Sequence, residues 1–337
     1  MKSTFFPTIV LIIALGFTSC SLFDNEQIPE CLKKEQNNPS EISQCYQPVY
    51  FGSPAWHPDG EWIAAEHTDS FDINQDGFID STFSGIWLVH AKTGETQQLL
   101  PFGDAPAWNP AGTHLAVHGG GGIYTVEVTS LEPAQFDTSS ITLLTDFDAP
   151  AFFPTWSGDG EWIAFDTSYE HENGAYVVWK VKNDGSELKK VSKREVGGGR
   201  QANWSKQNDK ITFTSYVTGG AEGPEIFSMK ADGSGSKQLT NNGENYYPKF
   251  SPDGKKIAFT HQMPYEFHVV VMNSDGSNKK VITNNHSREA TWSPDGEQLV
   301  YILLNLYEAV PGNGQLWIMD SNGNNKKQLT NFKGEAP

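Results

Sequence analysis

The chain has 337 residues and a formal net charge of −17 at pH 7, with 41 acidic and 24 basic side chains. This balance argues against nucleic-acid binding, because proteins that bind phosphate backbones present a basic face or stripe. The 32 glycines, 19 prolines and 10 tryptophans, without sustained helical periodicity, indicate an all-β chain with many turns.

The chain begins with a predicted export signal. Lys2 precedes an apolar run from Phe5 to Phe17 that is short for a bilayer span, and small residues stand before Cys20. The pattern resembles the lipobox of bacterial lipoproteins, with Phe17 where leucine is usual. The resemblance implies a signal peptide over residues 1–19 and a lipid on Cys20, which would anchor the protein without a spanning helix. An ordinary secretory signal is the alternative.

Residues 20–47 are predicted to be a tether between lipid and domain, because they are polar and lack apolar periodicity. Cys31 and Cys45 lie in this segment, and an even pair in an exported protein predicts one disulfide; two free thiols are the alternative. Ser21 after the lipid-bearing position fits sorting to the outer membrane in many Gram-negative bacteria. We therefore expect a lipid-anchored protein of the cell envelope, at the outer membrane, on its periplasmic or its surface face.

Residues 48–337 contain six copies of one repeat, in which an aromatic residue is followed by one variable residue, a turn of the Pro-Asp-Gly type and an apolar strand. The six aromatic residues are Trp56, Trp108, Trp156, Trp204, Phe250 and Trp292. They stand 52, 48, 48, 46 and 42 residues apart, which is the length of a four-stranded blade. A third strand then leads through an Asp-Gly or Asn-Gly turn into a fourth, as tight hairpins require.

One such sheet cannot bury both of its faces, whereas six sheets arranged radially cover one another. The predicted fold class is therefore all-β, a six-bladed β-propeller of four-stranded antiparallel blades over residues 48–337. The Trp-Ser-Pro-Asp-Gly repeat is similar to that of the TolB-like propeller family, and the resemblance implies protein partners. A strand near residues 46–51 is a candidate to pair with the last blade and close the ring.

The loop between the second and third strands of the first repeat reads Asp-Ile-Asn-Gln-Asp-Gly-Phe-Ile-Asp over residues 72–80. Oxygen ligands at positions one, three, five and nine and glycine at position six match the start of an EF-hand calcium loop. Phe83 replaces the expected glutamate at position twelve, so Glu66, Asp69 or a water would complete the shell. A structural calcium ion is predicted on Asp72, Asn74, Asp76, Phe78 (through its carbonyl) and Asp80. A solvated turn is the alternative.

The loops that lead into the innermost strands are the predicted binding face, because in a propeller they rim the central channel. Four residues before each aromatic residue the chain has Gly52, Asp104, Phe152, Arg200, Tyr246 and Arg288. The next positions include Phe153, Gln201, Tyr247 and Glu289. Aromatic pairs beside arginines suit recognition of a sugar, a peptide or a carboxylate. The predicted ligand-binding residues are Phe152, Arg200, Tyr246, Tyr247, Arg288 and Glu289. Loop anchoring and salt-bridge formation are the alternative roles.

The leading functional hypothesis is a non-catalytic, monomeric envelope lipoprotein that binds or scaffolds an envelope protein or a glycan. The sequence contains no nucleophile elbow, zinc-binding helix motif or phosphate loop. The alternative is an enzyme such as a polysaccharide lyase or hydrolase, which would need an acid-base or metal cluster at the channel mouth. Candidates for such a cluster are Arg200, Tyr246, His261, His286, Arg288 and Glu289. A purely structural module is the third possibility.

Overall fold

The computed structural model describes residues 50–71, 81–170, 175–192, 198–216, 223–241, 243–263, 266–283, 286–305 and 313–331. The predicted lipidation site Cys20, the cysteine pair Cys31 and Cys45, and the predicted calcium ligands between Asp72 and Asp80 lie outside these residues. Within the described ranges, no helix is long and apolar enough to cross a membrane.

The first half of the propeller is formed by three blades. Blade 1 contains β1 (Tyr50–Trp56), β2 (Trp62–Phe71), β3 (Ser81–His90) and β4 (Thr96–Leu100). Blade 2 contains β5 (Asp104–Trp108), β6 (His114–Gly119), β7 (Gly122–Leu131), β8 (Ala134–Phe136) and β9 (Thr142–Leu143). Blade 3 contains β10 (Ala151–Trp156), β11 (Trp162–Thr167), β12 (Val177–Lys182) and β13 (Lys189–Lys190).

Three further blades complete the ring. Blade 4 contains β14 (Arg200–Trp204), β15 (Lys210–Tyr216), β16 (Pro224–Lys230) and β17 (Lys237–Gln238). Blade 5 contains β18 (Asn245–Phe250), β19 (Lys256–Met263), β20 (Glu266–Asn273) and β21 (Lys280–Val281). Blade 6 contains β22 (Ser287–Trp292), β23 (Gln298–Asn305), β24 (Asn313–Asp320) and β25 (Lys327–Gln328). The predicted six-bladed fold of antiparallel blades is confirmed.

Blade 2 differs from the other five by one inserted strand. Its fourth strand β9 pairs with the start of β7, while the insertion β8 pairs with the end of β7. A 3₁₀ turn over Thr138–Ser140 joins β8 to β9, and Asp137 caps it by accepting from the Ser139 N–H at 2.8 Å. The addition lies on the outer edge of the blade, so it leaves the innermost strand and the channel unchanged.

Local hydrogen bonds explain why serine and aspartate recur in the turn between the first two strands. In blade 3 the Ser157 hydroxyl donates to Asp159, and Asp159 Oδ1 accepts from the Glu161 N–H at 3.0 Å. Gly160 adopts a φ of +75°, a conformation that favours glycine. In blade 4, where the motif is absent, the positive φ falls instead on Asp209, at +48°.

The repeated aromatic residues pack between adjacent blades. Trp156 shares a buried cluster with Ile123 of blade 2 and with Ile163 and Trp179 of its own blade. Its indole N–H donates to the carbonyl of Ala107 in blade 2 at 3.0 Å. Each blade thus buries the face of its neighbour, which a single sheet could not achieve.

The ring closes by packing of blade 6 against blade 1. One cluster joins Trp56 and Ile63 of blade 1 to Ile302 and Leu316 of blade 6. The predicted closing strand contributes one parallel pair, between Tyr50 and the glycine at position 314 of β24. Every blade is otherwise made of consecutive strands.

Candidate functional site

The innermost strand of each blade carries a bulge at the same place, three residues before the aromatic residue. The pairing register shifts there in all six blades, and the bulge residue has a positive φ between 46° and 54°. The six bulge residues are Ser53, Ala105, Phe153, Gln201, Tyr247 and Glu289. A bulge changes the direction in which a strand presents its side chains, so these positions form the rim of the channel. We call this end the mouth.

Hydrogen bonds between blades hold the strained bulges in place. The N–H of Gln201 donates to Asp166 Oδ1 of blade 3 at 2.9 Å, and the N–H of Tyr247 donates to Gln201 Oε1 at 3.0 Å. The N–H of Glu289 donates to Thr260 Oγ1 at 3.0 Å, and the N–H of Ser53 donates to Glu289 Oε2 at 2.9 Å. Gln201 and Glu289, both predicted at the rim, therefore also join neighbouring blades.

A second ring of mouth residues was not predicted from the sequence. On the second strand of each blade, one residue pairs with the residue immediately before the bulge. In blades 1 to 6 these residues are Glu66, His118, Asp166, Thr214, Thr260 and Ile302. Each of these is the tenth residue after its aromatic residue. That constant spacing is the signal by which they could have been found. The ring is ionisable in blades 1 to 3 and uncharged in blades 4 to 6.

Blades 2 to 4 place a chain of charged and aromatic groups along the mouth. His118 Nδ1 lies 2.8 Å from Asp104 Oδ2, and the imidazole ring lies 4.5 Å from the ring of Phe152. The guanidinium carbon of Arg200 sits 4.5 Å from the ring centroid of Tyr176. Such a stacked arginine has its plane and its donors held in one direction.

Asp166 supports this arginine from beneath. Its carboxylate is fully buried, and its Oδ2 lies 3.6 Å from Arg200 Nε, while the Arg200 side chain is 45% exposed. Burial raises the pKa of Asp166 to about 7, although Arg200 and the Gln201 N–H oppose the rise. The carboxylate thus lies inside the wall, and the guanidinium extends from it into the mouth.

Blades 6 and 1 contribute a second set of charged side chains. Arg288 Nε lies 3.4 Å from Glu289 Oε1, and the Glu289 side chain is buried. Burial, together with the nearby charges of Asp104 and Glu289, raises the pKa of Glu66 to about 8. The mouth therefore has four carboxylates, two arginines and one histidine at its rim and second ring.

The aromatic residues of the mouth surround a cavity of about 240 Å³ between blades 3, 4 and 5, whose walls include Tyr176, Arg200, Tyr216, Pro224 and Tyr246. Tyr216 is 60% exposed at its edge. The Tyr246 hydroxyl donates to Glu244 at 2.5 Å, and the rings of Tyr246 and Tyr247 are 6.5 Å apart.

The structure places all six predicted ligand-binding residues on the innermost strands at the same mouth, and Tyr247 lies close enough to Glu289 and Arg288 for their charges to affect its hydroxyl. Phe152 lies between His118 and Tyr176, with ring centroids 4.5 and 5.8 Å away. Their assignment to ligand binding remains a prediction.

Two histidines pair on adjacent strands of blade 5, and each contacts other groups of the same blade. His261 Nδ1 lies 3.0 Å from Asn245 Oδ1, whereas His268 contacts Glu266 and the Thr283 carbonyl on the third strand of blade 5. Among the described residues, no group of three histidine, cysteine, aspartate or glutamate side chains is placed to hold a metal ion.

The chain is similar in sequence or in fold to several known proteins. An uncharacterized protein from Agrobacterium fabrum is 24% identical over 269 residues, which are 65% of this chain and 87% of that protein. The crystal structure of TolB from Acinetobacter baumannii has a TM-score of 0.58 at 20% identity, over 72% of this chain and 58% of that one. The chain thus spans less than two thirds of that TolB.

An enzyme shares the fold as well. The oligogalacturonate lyase from Vibrio parahaemolyticus has a TM-score of 0.53 at 11% identity, over 87% of this chain and 82% of that one. At such identity the likeness is one of fold alone. Residues 105–337 match the family described as "PD40: TolB beta propeller domain", which is more than half of the chain. The protein belongs to the TolB β-propeller domain family.

Proposed function

We propose that the protein is a non-catalytic binding or scaffolding lipoprotein of the cell envelope, acting as a monomer, and that its mouth holds a segment of an envelope protein. The observation that carries this proposal is the cavity beside Arg200. Its walls are mostly apolar and include three tyrosines. The Arg200 guanidinium beside them is stacked on Tyr176 and supported by buried Asp166. Exposed aromatic residues beside a held arginine are the residues that dominate binding at protein interfaces.

The charge of Arg200 and the apolar walls of the cavity favour a partner segment that has an apolar side chain next to a carboxylate. Arg200 forms no hydrogen bond through its terminal nitrogens with the described residues, so they are available to a carboxylate in two-pronged geometry. The apolar walls fit one aliphatic or aromatic side chain beside it. A partner lacking the carboxylate would leave the guanidinium unused and would bind more weakly.

Burial of the ionisable groups argues for binding rather than catalysis. A catalytic acid or base must reach the proton that it transfers. Asp166 has a pKa of about 7, in the range that suits such a role, but it is fully buried. His118 Nε2 is buried too and has no hydrogen-bond partner among the described residues. The carboxylate of Asp166 and the Nε2 atom of His118 are therefore both closed to solvent.

The test is site-specific photocrosslinking in cells. A photoreactive phenylalanine analogue replaces Tyr216 in one strain and Val281 in another; Val281 is 48% exposed on the outer strand of blade 5. We expect one discrete adduct with an envelope protein from position 216 and none from position 281. Arg200→Gln should remove that adduct. An adduct pattern shared by both positions, or unaffected by Arg200→Gln, would contradict binding at the mouth.

A further inference from the structure

The end of the channel opposite the mouth is a separate cavity, next to the Pro-Asp-Gly turns. Its volume is about 310 Å³, and residues of all six blades line it. The residue immediately before the repeated aromatic lines it in every blade, as Ala55, Ala107, Thr155, Asn203, Lys249 and Thr291. Because all six blades contribute the same position, this cavity lies on the propeller axis. We call it the turn-side cavity.

The charged side chains that line the turn-side cavity are all basic. Lys206 and Lys249 are among the lining residues, and no aspartate or glutamate is. Lys249 is a departure from the small or uncharged residues at that position in the other blades, and Lys206 replaces the proline of the repeat. Two cations around one cavity stand out in a chain with a net charge of −17.

Neither ammonium group is neutralised by the described part of the chain. No hydrogen bond or ion pair joins either one to another described residue. Burial lowers the pKa of Lys206, and no nearby carboxylate opposes the effect. Burial also lowers the pKa of Lys249, where only the charge of Glu289 acts in the opposite direction. Lys249 is half-buried and Lys206 is exposed at the cavity. A cleft lined by charges of one sign attracts the opposite ion.

The nearby turn carboxylates are already engaged. Asp253 accepts from the Ser251 hydroxyl at 2.7 Å, and Asp295 accepts from the Ser293 hydroxyl at 2.5 Å. Asp253 also lies 3.6 Å from the exposed Lys255 Nζ. These contacts hold the aspartates in their own turns, outside the lining of the turn-side cavity.

Two buried indoles add unused hydrogen-bond donors to the lining. Trp156 and Trp292 donate to a carbonyl of the preceding blade, at 3.0 and 3.1 Å. Trp56 and Trp108 line the same cavity and are 7% and 5% exposed, but their Nε1 groups have no partner among the described residues. Buried donors normally have a partner.

We propose that the turn-side cavity binds a small oxyanion, a phosphate or carboxylate group, held by the ammonium groups of Lys249 and Lys206. The anion supplies the negative charge that the lining lacks. This site is at the opposite end of the channel from the proposed protein-binding mouth and does not depend on it. A lysine pair binds such a group as point charges, without the planar geometry that an arginine imposes.

The experiment compares thermal unfolding of the purified protein in inorganic phosphate, in malonate and in sodium chloride at equal ionic strength. We expect a saturable rise in Tm with phosphate or malonate and none with chloride, because a ligand of the native state stabilises it. Phosphate alone would identify a phosphate-bearing ligand, malonate alone a carboxylate, and both a general oxyanion site. No saturable rise with either, or an equal rise with chloride, overturns the proposal.

Lys249→Met removes one ammonium and keeps most of the side-chain volume. It should weaken the apparent affinity for the anion about tenfold or more, the effect of losing one charged hydrogen bond. Lys255→Met is the matched control, since its ammonium is on the same face but 81% exposed. The control should respond as the wild type does. An equal response in Lys249→Met would exclude Lys249 from the site.

A second measurement needs no variant. Acetylation of lysines in the native protein, followed by mass spectrometry, reports the accessibility of each ammonium. The anion that raises the Tm should slow modification of Lys249 and Lys206 and leave Lys255 unchanged. Equal rates with and without that anion at the first two positions would contradict the proposal even if Lys249→Met failed to fold.

Discussion

Asp166 makes the stability of the propeller depend on pH in a direction opposite to that of an ordinary aspartate. Its pKa is about 7 in the folded protein, whereas the ordinary pKa of an aspartate is 3.8. The folded state therefore holds a proton between these two values that the unfolded state has lost. Stability is highest below pH 3.8 as far as this group is concerned, and falls as the pH rises toward 7. Between pH 5 and pH 7 the loss is about 2 kcal/mol.

The variant Asp166→Asn isolates this effect. Asparagine keeps an oxygen for the Gln201 N–H, which is 2.9 Å from Asp166 Oδ1, but has no charge to bury. We expect the free energy of unfolding of the variant, measured by urea denaturation at pH 5, 6 and 7, to lose about 2 kcal/mol less than that of the wild type. A remaining slope is expected from Glu66, whose pKa is about 8.

Asp253→Asn is the control for that measurement. The Ser251 hydroxyl lowers the pKa of Asp253, so its contribution to stability is present above the unfolded pKa and constant between pH 5 and pH 7. The control curve should run parallel to that of the wild type over this interval. If the stability curve of Asp166→Asn also ran parallel to that of the wild type, the Asp166 carboxylate would be ionised in the folded state over this interval. That result would refute the reasoning from burial.

Three further predictions concern other parts of the chain. Gln201→Leu removes the acceptor of the Tyr247 N–H and should lower the free energy of unfolding, measured by urea denaturation, by about 1–3 kcal/mol. The control Gln207→Leu, in an exposed turn, should change it by less than about 0.5 kcal/mol. Equal effects of the two variants would contradict a role of Gln201 in joining blades. Cys20→Ser should abolish incorporation of labelled palmitate and release the protein from the membrane fraction; retained label would contradict lipidation. Calcium should raise the Tm of the wild type and have little effect on Asp76→Asn, so an equal rise in both would exclude the predicted loop.

The sequence was sufficient for the architecture because the fold is repeated. Six aromatic residues at blade-length intervals constrain the ring more strongly than any single motif, and the loss of the turn motif in blade 4 is accommodated by Asp209. The inserted strand β8 of blade 2 (Ala134–Phe136) was not predicted, since it occurs once and adds only to an outer edge.

The mouth was predicted only in part, because its chemistry depends on contacts between blades. The rim positions could be read from the repeat, but the bulge that directs them could not, as non-glycine residues such as Phe153 and Tyr247 adopt its positive φ. Asp166 was missed although it keeps a constant spacing from Trp156. Nothing in the local sequence shows that this aspartate lies beside an arginine 34 positions later.

The hydrogen bonds of the bulges separate what the scaffold needs from what the mouth presents. An aspartate, a glutamine, a threonine and a glutamate each accept the bulge N–H of the next blade, so the scaffold needs an acceptor but not a charge. A neutral acceptor would avoid the cost of burying a carboxylate. The two acidic acceptors, Asp166 and Glu289, are the ones that lie 3.6 Å and 3.4 Å from Arg200 and Arg288. We therefore attribute the acidic side chains at these two positions to the arginines beside them, which the proposed binding of a carboxylate-bearing partner at the mouth would use.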